Sequence, residues 1–347
     1  METYREEKNK TVKTVLEDLE PPNKNITIKN RILFKESPLK GGSFFVKNLQ
    51  IEIVSHIKKC FALWQEFSSQ KTLFDLWEFR YAFYKAYRYK PYFILLKNQS
   101  ENLALLPLWY DRTQKRYTWF GSDWQEEIGF YTKEPKLLSV LLSAAPSPLY
   151  LNAIAKGRLK PCHKNLPFQK DDPKYILNLE KFNSHEDFLM TLKKNRRHDL
   201  RKDRRRIEKQ HPVITINNFL EFDYLVDLCK KRFSRKGEEA DFEDQRQIEA
   251  FRQVIKLSGK SYQARMLTVK IKNKPAGADL ICLWNDCYYA LRCGYDVKNF
   301  SGIGNFVNTF EIDDAIKLGM KKIDFLQNNY EWKDRWFKSI PLLKFEK

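Results

Sequence analysis

The sequence contains no run of about 18 uncharged apolar residues and no secretory h-region, so it predicts neither a membrane-spanning helix nor a signal peptide. Its cysteines form no CxxC pair and no spacing with histidine that is typical of zinc sites. We therefore expect reduced thiols, no bound metal and a cytoplasmic location, which includes the inner face of the membrane. The six cysteines are Cys60, Cys162, Cys229, Cys282, Cys287 and Cys293.

Acidic residues are also scarce relative to basic ones. The chain has 63 Lys and Arg against 44 Asp and Glu, a formal net charge of +19. Such an excess favours polyanionic neighbours, such as tRNA, phospholipid surfaces or diphosphate-linked substrates, without choosing among them. A hydrophobic fraction of 42% and eight tryptophans exclude a wholly disordered chain.

The length of 347 residues predicts two closely packed domains. Residues 1–30 are rich in Lys, Glu, Asn and Thr, and we expect a disordered tail there. A first domain is predicted over 31–160 and a second over 161–347, because a connection rich in proline separates two series of elements. The prolines of this connection are Pro161, Pro167 and Pro173.

Each half shows the same coarse order of elements: two helices, a meander of three strands, a helix and a strand. Apolar spacing predicts a helix over 53–67 in the first half and one long basic helix over 185–209 in the second. The fold class is therefore predicted as α/β, with mixed central sheets flanked by helices.

A hairpin is predicted around Asn285 and Asp286, because a two-residue turn there pairs Trp284 with Cys287. By strict alternation one face of this hairpin carries six residues, which we expect to be core. They are Cys282, Trp284, Cys287, Tyr289, Leu291 and Cys293.

Several motifs resemble those of the GNAT superfamily of acyltransferases, in its FemAB-like branch with BioF-type and CelD-type domains. In the second half they are LKKNRRHDLRKDRRR at 192–206, CGYDVKNFSGIGNF at 293–306 and KIDFLQNNYEWKDRWF at 322–337. In the first half they are PLW at 107–109 and FGS at 120–122. The resemblance implies two tandem GNAT-like domains with the active site between them, the first on the acceptor side.

The acyl-donor loop is predicted at 299–305, which reads N-x-x-G-x-G where the superfamily has Arg or Gln first. Glycines let the backbone approach an anion, and the following helix directs free N–H groups and its positive end toward it. This environment suits the pyrophosphate of coenzyme A. The predicted donor-binding residues are Asn299, Ser301, Gly302, Ile303, Gly304 and Asn305.

Acid–base candidates follow the next strand. Asp324 is predicted at a strand end, Tyr330 as proton donor to the leaving thiolate, and Lys333 as stabiliser of the oxyanion. The resemblance to FemAB proteins also places a lysine of the reaction centre at Lys333. Tyr295 and Asp296, just before the donor loop, are secondary candidates.

The first half has no G-x-G loop of its own but carries the acidic sequence GSDWQEEIGF at 121–130. Asp123, Glu126 and Glu127 in this loop are predicted to contact the acceptor amine if the two halves face each other. A solvated surface loop is the alternative.

The basic helix contains an arginine within its apolar line. Phe188, Leu192, Leu200 and Ile207 recur at near-helical spacing, and Arg196 falls among them. A partly buried guanidinium needs an acidic partner or an anionic ligand, so Arg196 is a candidate for substrate binding. The other basic residues of 193–209 are predicted to face tRNA, an anionic membrane or water.

Together these patterns predict an N-acyltransferase that transfers acetyl from acetyl-coenzyme A to an amine of a sugar or peptide in cell-envelope or polysaccharide chemistry. The alternative is a FemAB-like transferase that uses aminoacyl-tRNA to modify a cell-wall precursor. An alternative of another class is a non-catalytic protein of the same fold that binds nucleic acid or the envelope. The sequence does not predict the oligomeric state.

Overall fold

The computed structural model describes residues 49–122, 124–235, 237, 240–330 and 332–347. The predicted disordered tail lies outside these ranges. The helices are α1 (Ile57–Phe67), α2 (Trp77–Tyr87), α3 (Leu137–Ala144), α4 (His185–Met190), α5 (Lys194–Glu208), α6 (Phe222–Ser234), α7 (Gln245–Lys256) and α8 (Ile303–Lys317). The strands are β1 (Gln50–Val54), β2 (Pro91–Lys97), β3 (Asn102–Asp111), β4 (Arg116–Trp119), β5 (Tyr131–Thr132), β6 (Tyr150–Ala155), β7 (Gln169–Asn178), β8 (Val213–Ile216), β9 (Gln263–Ile271), β10 (Lys274–Trp284), β11 (Cys287–Tyr295), β12 (Lys322–Gln327) and β13 (Lys338–Glu346).

The strands form two sheets. The smaller has the order β1-β2-β3-β4, with β5 paired to β3. The larger has eight strands in the order β6-β13-β7-β12-β11-β10-β9-β8, in which β11 and β12 are parallel and the other pairs antiparallel. Helices cover both faces of this sheet, so the predicted α/β class with mixed sheets is confirmed. No helix in the described part of the chain is long and apolar enough to cross a membrane.

The sheets do not divide at residue 160. β6 lies before the proline-rich connection, yet it pairs with β13 at the edge of the larger sheet. β13 was not predicted from the sequence, and it also pairs with β7. The chain therefore closes the second sheet with a strand that precedes the expected boundary.

Both halves share one apolar core. It contains residues of α1 and α2 from the first half and of α6, α7, β10 and β11 from the second. Leu73 N–H donates to Tyr289 Oη across the junction, and the rings of Phe74 and Tyr289 pack edge to face at 5.9 Å. The opposite face of the larger sheet is covered by α4, α5 and α8.

The predicted long basic helix is two helices. α4 ends at Met190 and α5 begins at Lys194. Thr191 interrupts the helix because its Oγ1 donates back to the carbonyl of Phe188 at 2.7 Å, an alternative to continued helical pairing. The first predicted helix is also shorter than expected, since Gln50–Val54 is strand β1.

The hairpin between β10 and β11 is confirmed, with Trp284 opposite Cys287 and both turn residues at positive φ. A β-bulge then changes the alternation, because Ile281 pairs with Ala290 and Leu280 pairs with Arg292, which leaves Leu291 as the extra residue. The predicted shared face is therefore wrong for Cys293, which packs with the core on the α8 side.

Candidate functional site

The two parallel strands at the centre of the large sheet pair only at one end. Cys287, Tyr288 and Tyr289 of β11 pair with Lys322, Ile323 and Asp324 of β12. Beyond these pairs the strands continue to Tyr295 and Gln327 without pairing to each other. We call the separated part, 290–295 and 325–327, the strand gap. Its causes are the bulge in β11 and the irregular end of β12, where buried Leu326 has φ +62°.

The predicted donor loop follows β11 at the open end of the strand gap. Gly302 has φ +90° and is the N-cap of α8, so a residue with a Cβ would be strained there. A Cβ on Gly302 would lie 2.8 Å from the side chain of Asp203, and one on Gly304 would lie 3.2 Å from the ring of Tyr295. Contacts within the protein thus account for both glycines. The first-turn N–H groups of α8 remain directed out of the helix end.

Helix α5 covers this loop with a carboxylate that the sequence analysis did not single out. Asp203 Oδ2 accepts a hydrogen bond of 2.7 Å from Asn305 Nδ2. Arg206 Nη1 donates to Ser301 Oγ at 2.8 Å and lies 3.4 Å from Asp203. A carboxylate beside a helix N-terminus is favourable to the helix dipole. The loop is therefore fixed in place by one acid and one arginine of the basic helix.

The acidic loop of the first half meets the end of β12. Lys174 of β7 is fully buried, and its Nζ donates to Asp324 Oδ2 at 2.5 Å and to Glu127 Oε2 at 2.7 Å. Burial alone would lower the pKa of Lys174, but the attraction of the two carboxylates outweighs it and raises the pKa. Asp324 Oδ1 also accepts the N–H of Leu326. Asp324 is thus an ion-pair partner inside the junction, not a free acid facing the strand gap.

Glu126 differs from its neighbour because half of its carboxyl group is free. Its Oε1 accepts the N–H of Gln327 at 2.9 Å, while its buried Oε2 has no partner in the described part of the chain. Burial raises the pKa of Glu126 to about 7, against the attraction of Lys174. A carboxyl group that titrates near neutrality can accept a proton from an amine. Asp123, the third predicted residue of this loop, lies outside the described residues.

The ammonium group of Lys333 binds backbone carbonyls at the end of β12. Nζ donates to the carbonyl of Phe325 at 2.5 Å and of Gln327 at 2.7 Å, with Leu326 O at 3.5 Å. Burial lowers the pKa of Lys333 to about 8, while the attraction of Glu126 opposes the shift. Two short bonds to the backbone leave at most one N–H for a substrate. The predicted oxyanion contact is therefore secondary to a role in shaping the strand gap.

Tyr330 and Arg232 complete this end of the strand gap. The Tyr330 ring centre lies 5.2 Å from Lys333 Nζ and 5.8 Å from Arg232 Cζ. Burial raises the pKa of Tyr330, which keeps its hydroxyl protonated at neutral pH. Arg232 Nη1 lies 3.9 Å from Cys293 Sγ. Arg232 escaped the sequence analysis although it extends the buried stripe Leu225, Leu228 and Cys229 of α6 at helical spacing.

Two buried carboxyl groups lie on the other side of the strand gap. Tyr295 Oη donates to Asp279 Oδ2 at 2.6 Å, and the buried carboxyl group of Glu311 of α8 interacts with that of Asp279. Burial raises the pKa of Asp279 to about 7 and that of Glu311 well above its ordinary value. Two carboxyl groups can bond to each other only by sharing a proton, so we call Asp279 and Glu311 the carboxyl pair. The secondary candidate Asp296 pairs with Arg235 at 3.2 Å.

Arg196 has no acidic partner among the described residues. Its guanidinium lies 5.5 Å from the ring centre of Trp336, and its buried Nε has no acceptor. No carboxylate lies within 4.0 Å in the described ranges. The ring provides a cation–π contact in place of an ion pair.

The structure thus brings most of the predicted site residues to the strand gap near the centre of the larger sheet. Asp324, Tyr330, Lys333, Glu126 and Glu127 form one neighbourhood, and the donor loop borders the same strand gap. The structure also places Lys174, Asp203 and Arg232 near the strand gap or the donor loop, and none of these three was predicted from the sequence.

Comparisons with known proteins agree with this architecture. Residues 194–334 match the family described as Acetyltransferase (GNAT) domain. No curated protein sequence matches the chain.

Solved structures extend the similarity to most of the chain. The crystal structure of FemX has a TM-score of 0.55 at 10% identity and covers 84% of this chain and 96% of its own. A conserved protein of unknown function from Bacteroides thetaiotaomicron has a TM-score of 0.51 at 12% identity, with the same coverage of 84% and 96%. L-PGS from Bacillus licheniformis has a TM-score of 0.50 at 13% identity and covers 78% of this chain and 92% of its own. The predicted resemblance and fold class are therefore confirmed: residues 194–334 match a GNAT acetyltransferase domain, and the chain shares the α/β fold of FemX.

Proposed function

We propose that this protein is an N-acyltransferase that moves an acyl group from a coenzyme A thioester, with acetyl as the expected group, to an amine. The observation that carries the proposal is the strand gap. Its unpaired backbone edge along β11 offers N–H and C=O groups to an extended ligand, as an open strand edge does. The gap lies between a loop at a helix N-terminus and a buried carboxyl group of near-neutral pKa, which suits a donor on one side and an amine on the other.

The donor's phosphates would lie at the loop 299–305. The N–H groups that begin α8 and the positive end of its dipole favour an anion there. Arg206 and Arg235 flank the loop through their contacts with Ser301 and Asp296. Asp203 opposes an anion at the same place, so donor binding would depend on the neutralisation of Asp203 by Arg206 and Asn305.

The acceptor amine would enter from the side of the first half, where Glu126 lies. Glu126 takes a proton from the amine as its nitrogen attacks the thioester carbonyl and forms the C–N bond. Positive charge on Arg232 and Lys333 favours the oxyanion of the tetrahedral intermediate. As the C–S bond breaks, the leaving thiolate takes a proton from Tyr330, which regains one from solvent. Glu126 releases its proton afterwards, and the enzyme forms no covalent intermediate.

An aminoacyl-tRNA donor is the second candidate. The resemblance to FemAB proteins implies this donor, and two observations favour it. Asp203 packs against Gly302 where a pyrophosphate would lie, and exposed basic residues follow α5 beside the loop. These residues are Lys193, Lys194, Lys202, Arg205 and Lys209. Phosphate contacts along such a helix would make tRNA binding strongly dependent on salt.

A calorimetric titration with acetyl-coenzyme A tests the proposal. We expect binding that is lost in Ser301→Glu, because the exposed loop then carries a negative charge without backbone strain. Ser139→Glu on α3 adds the same charge at an exposed site far from the loop in sequence, and it serves as the matched control. Absence of binding at millimolar acetyl-coenzyme A would contradict the proposal. Binding of tRNA that persists at moderate salt would favour the second candidate instead, and tRNA binding without turnover would favour a non-catalytic role.

A further inference from the structure

Arginines in the described part of the larger sheet and its helices usually contact a carboxylate. Arg265 forms two bonds of 2.7 and 2.8 Å with Asp314. Arg292 contacts Asp241 at 2.5 Å, and Arg235 contacts Asp296 at 3.2 Å. Ion pairs of this kind offset the cost of removing a guanidinium from water.

Arg232 is an exception. Among the described residues no carboxylate lies within 4.0 Å of its guanidinium. The group instead contacts the thiol of Cys293 and the rings of Phe233 and Tyr330. The charge of Arg232 stabilises the ionised form of Asp279, but Asp279 Oδ2 already accepts the hydroxyl of Tyr295. A half-buried guanidinium in these surroundings retains donors that can bind a carboxylate or phosphate in a bidentate manner.

Arg232 lies near the residues to which the proposed reaction is assigned, so its remaining hydrogen-bond donors could bind part of a substrate. The ring centre of Tyr330 lies 5.8 Å from Arg232 Cζ and 5.2 Å from Lys333 Nζ, and Cys293 beside Arg232 is a residue of the strand gap. Helix α6 packs in the core shared with the first half, and Glu126 of that half contacts Gln327 at the end of the strand gap. The donor loop is held by α5 and α8 on the opposite face, and the end of α6 also contacts the residue segment before the loop through Arg235 and Asp296.

We infer that Arg232 binds an anionic group of the acceptor, so that the acceptor is an amine that carries a carboxylate or a phosphate near its nitrogen. Amino acids, acidic peptides and amino-sugar phosphates have this chemistry, and a neutral amine does not. The identification of the anion as part of the acceptor rests on the proposed function. The anion site itself does not, and it can be tested without any acyl donor.

Cys293 provides a reporter beside the proposed anion site. In alkylation the thiolate forms a C–S bond and displaces iodide, while the thiol proton goes to solvent. Iodoacetate carries a carboxylate and iodoacetamide does not, so the ratio of their rates at Cys293 reports local attraction of an anion. Burial raises the pKa of Cys293, so the folded protein is alkylated for long times at mildly alkaline pH. The protein is then digested, and mass spectrometry of the peptides measures alkylation at each cysteine. Exposed Cys162 is the internal control.

We expect the ratio of iodoacetate to iodoacetamide rates to be about five-fold higher at Cys293 than at Cys162, from one positive charge at about 4 Å. Arg232→Gln should reduce the ratio at Cys293 to that of Cys162. Arg252→Gln removes the same charge from an exposed arginine paired with Asp223 and should leave the ratio unchanged. Equal ratios at Cys293 and Cys162 in the unmodified protein would overturn the inference.

Competing anions distinguish whether the site binds a carboxylate or a phosphate. Protection of Cys293 from iodoacetamide by inorganic phosphate but not malonate assigns a phosphate, and the reverse assigns a carboxylate. If Cys293 resists both reagents, calorimetric titrations with phosphate and malonate compare the wild-type protein with Arg232→Gln. Weaker binding by the variant supports the inference, and equal binding of both anions contradicts it. A protein that attracts anions at Cys293 yet fails to bind acetyl-coenzyme A would contradict the proposed function alone.

Discussion

The two sides of the strand gap hold buried carboxyl groups in opposite ways. On the α8 side, the carboxyl pair of Asp279 and Glu311 has no basic side chain in hydrogen-bond contact among the described residues, and the shared proton removes one charge. On the side of the first half, Lys174 forms ion pairs with Glu127 and Asp324, and its attraction outweighs burial and lowers the pKa of Glu127. Glu126 beside them has a free oxygen and titrates near neutrality. The carboxyl pair is therefore suited to linking α8 to the sheet. Glu126, which has a free oxygen and a pKa of about 7, is suited to proton transfer.

The largest expected effect is on catalysis. Glu126→Gln should reduce acyl transfer by a factor of about 10² to 10⁴, because the group that accepts the amine proton is lost. The wild-type rate should rise with pH through about 7, where Glu126 becomes ionised, and then level off. Release of free thiol from acetyl-coenzyme A with an amine acceptor measures the rate. Glu101→Gln, at an exposed residue paired with Lys133, is the control, and a wild-type rate in Glu126→Gln at pH 7 would exclude Glu126 as the base.

Removal of the cation on the same side should affect stability most. Lys174→Met leaves buried Asp324 and partly exposed Glu127 without their shared cation, and we expect the free energy of unfolding to fall by about 3–5 kcal/mol. Urea unfolding measures the change. Lys321→Met removes an exposed lysine paired with Asp286 and should have no measurable effect. Equal stability of the two variants would show that the buried ion pairs do not support the junction.

The carboxyl pair should make stability depend on pH in a defined direction. Because folding raises the pKa of both acids, the pair stabilises the fold at low pH, and this contribution is lost as pH rises from about 4 through 7. In Glu311→Gln the amide can donate to Asp279, so the loss should be smaller. From pH 5 to 7 the variant should gain about 3 kcal/mol relative to wild type, at about 1.4 kcal/mol per pH unit. Parallel curves for the two proteins would rule out the shared proton, and Glu208→Gln on the surface of α5 is the control.

A smaller effect is expected at the end of β12. Lys333→Met leaves the carbonyls of Phe325 and Gln327 without their donor, which should cost about 1–3 kcal/mol of unfolding free energy. Lys338→Met, at an exposed lysine of β13, should leave stability unchanged. If Lys333→Met retained full stability but lost turnover, Lys333 would act on the substrate rather than on the strand end.

Much of the fold follows from local patterns in the sequence. The turn at Asn285 and Asp286 is a local signal, so the hairpin was predicted where the structure has it. The bulge at Leu291 depends on the pairing with β10, and β13 depends on partners far along the chain. Neither has a local signal, and the strand gap arises from the first of them.

Some of the candidate site residues were also predicted from the sequence, and others were not. Glu126 was singled out as part of an acidic loop, and Tyr330 and Lys333 because they follow a predicted strand, with Lys333 also implied by the resemblance to FemAB proteins. Lys174 meets Asp324 only through a contact between residues 150 positions apart, which no local pattern contains. Arg232 could have been found by the reasoning that identified Arg196, since both lie in apolar stripes of helices.

The most direct measurement of the central claim is hydrogen–deuterium exchange with and without acetyl-coenzyme A. If the strand gap binds the donor, residues 290–295 of β11 and the loop 299–305 should become protected, while the hairpin around Asn285 and Asp286 should not change. Ser301→Glu should abolish this protection and Ser139→Glu should retain it. Unchanged exchange along 290–295 at saturating acetyl-coenzyme A would contradict the account.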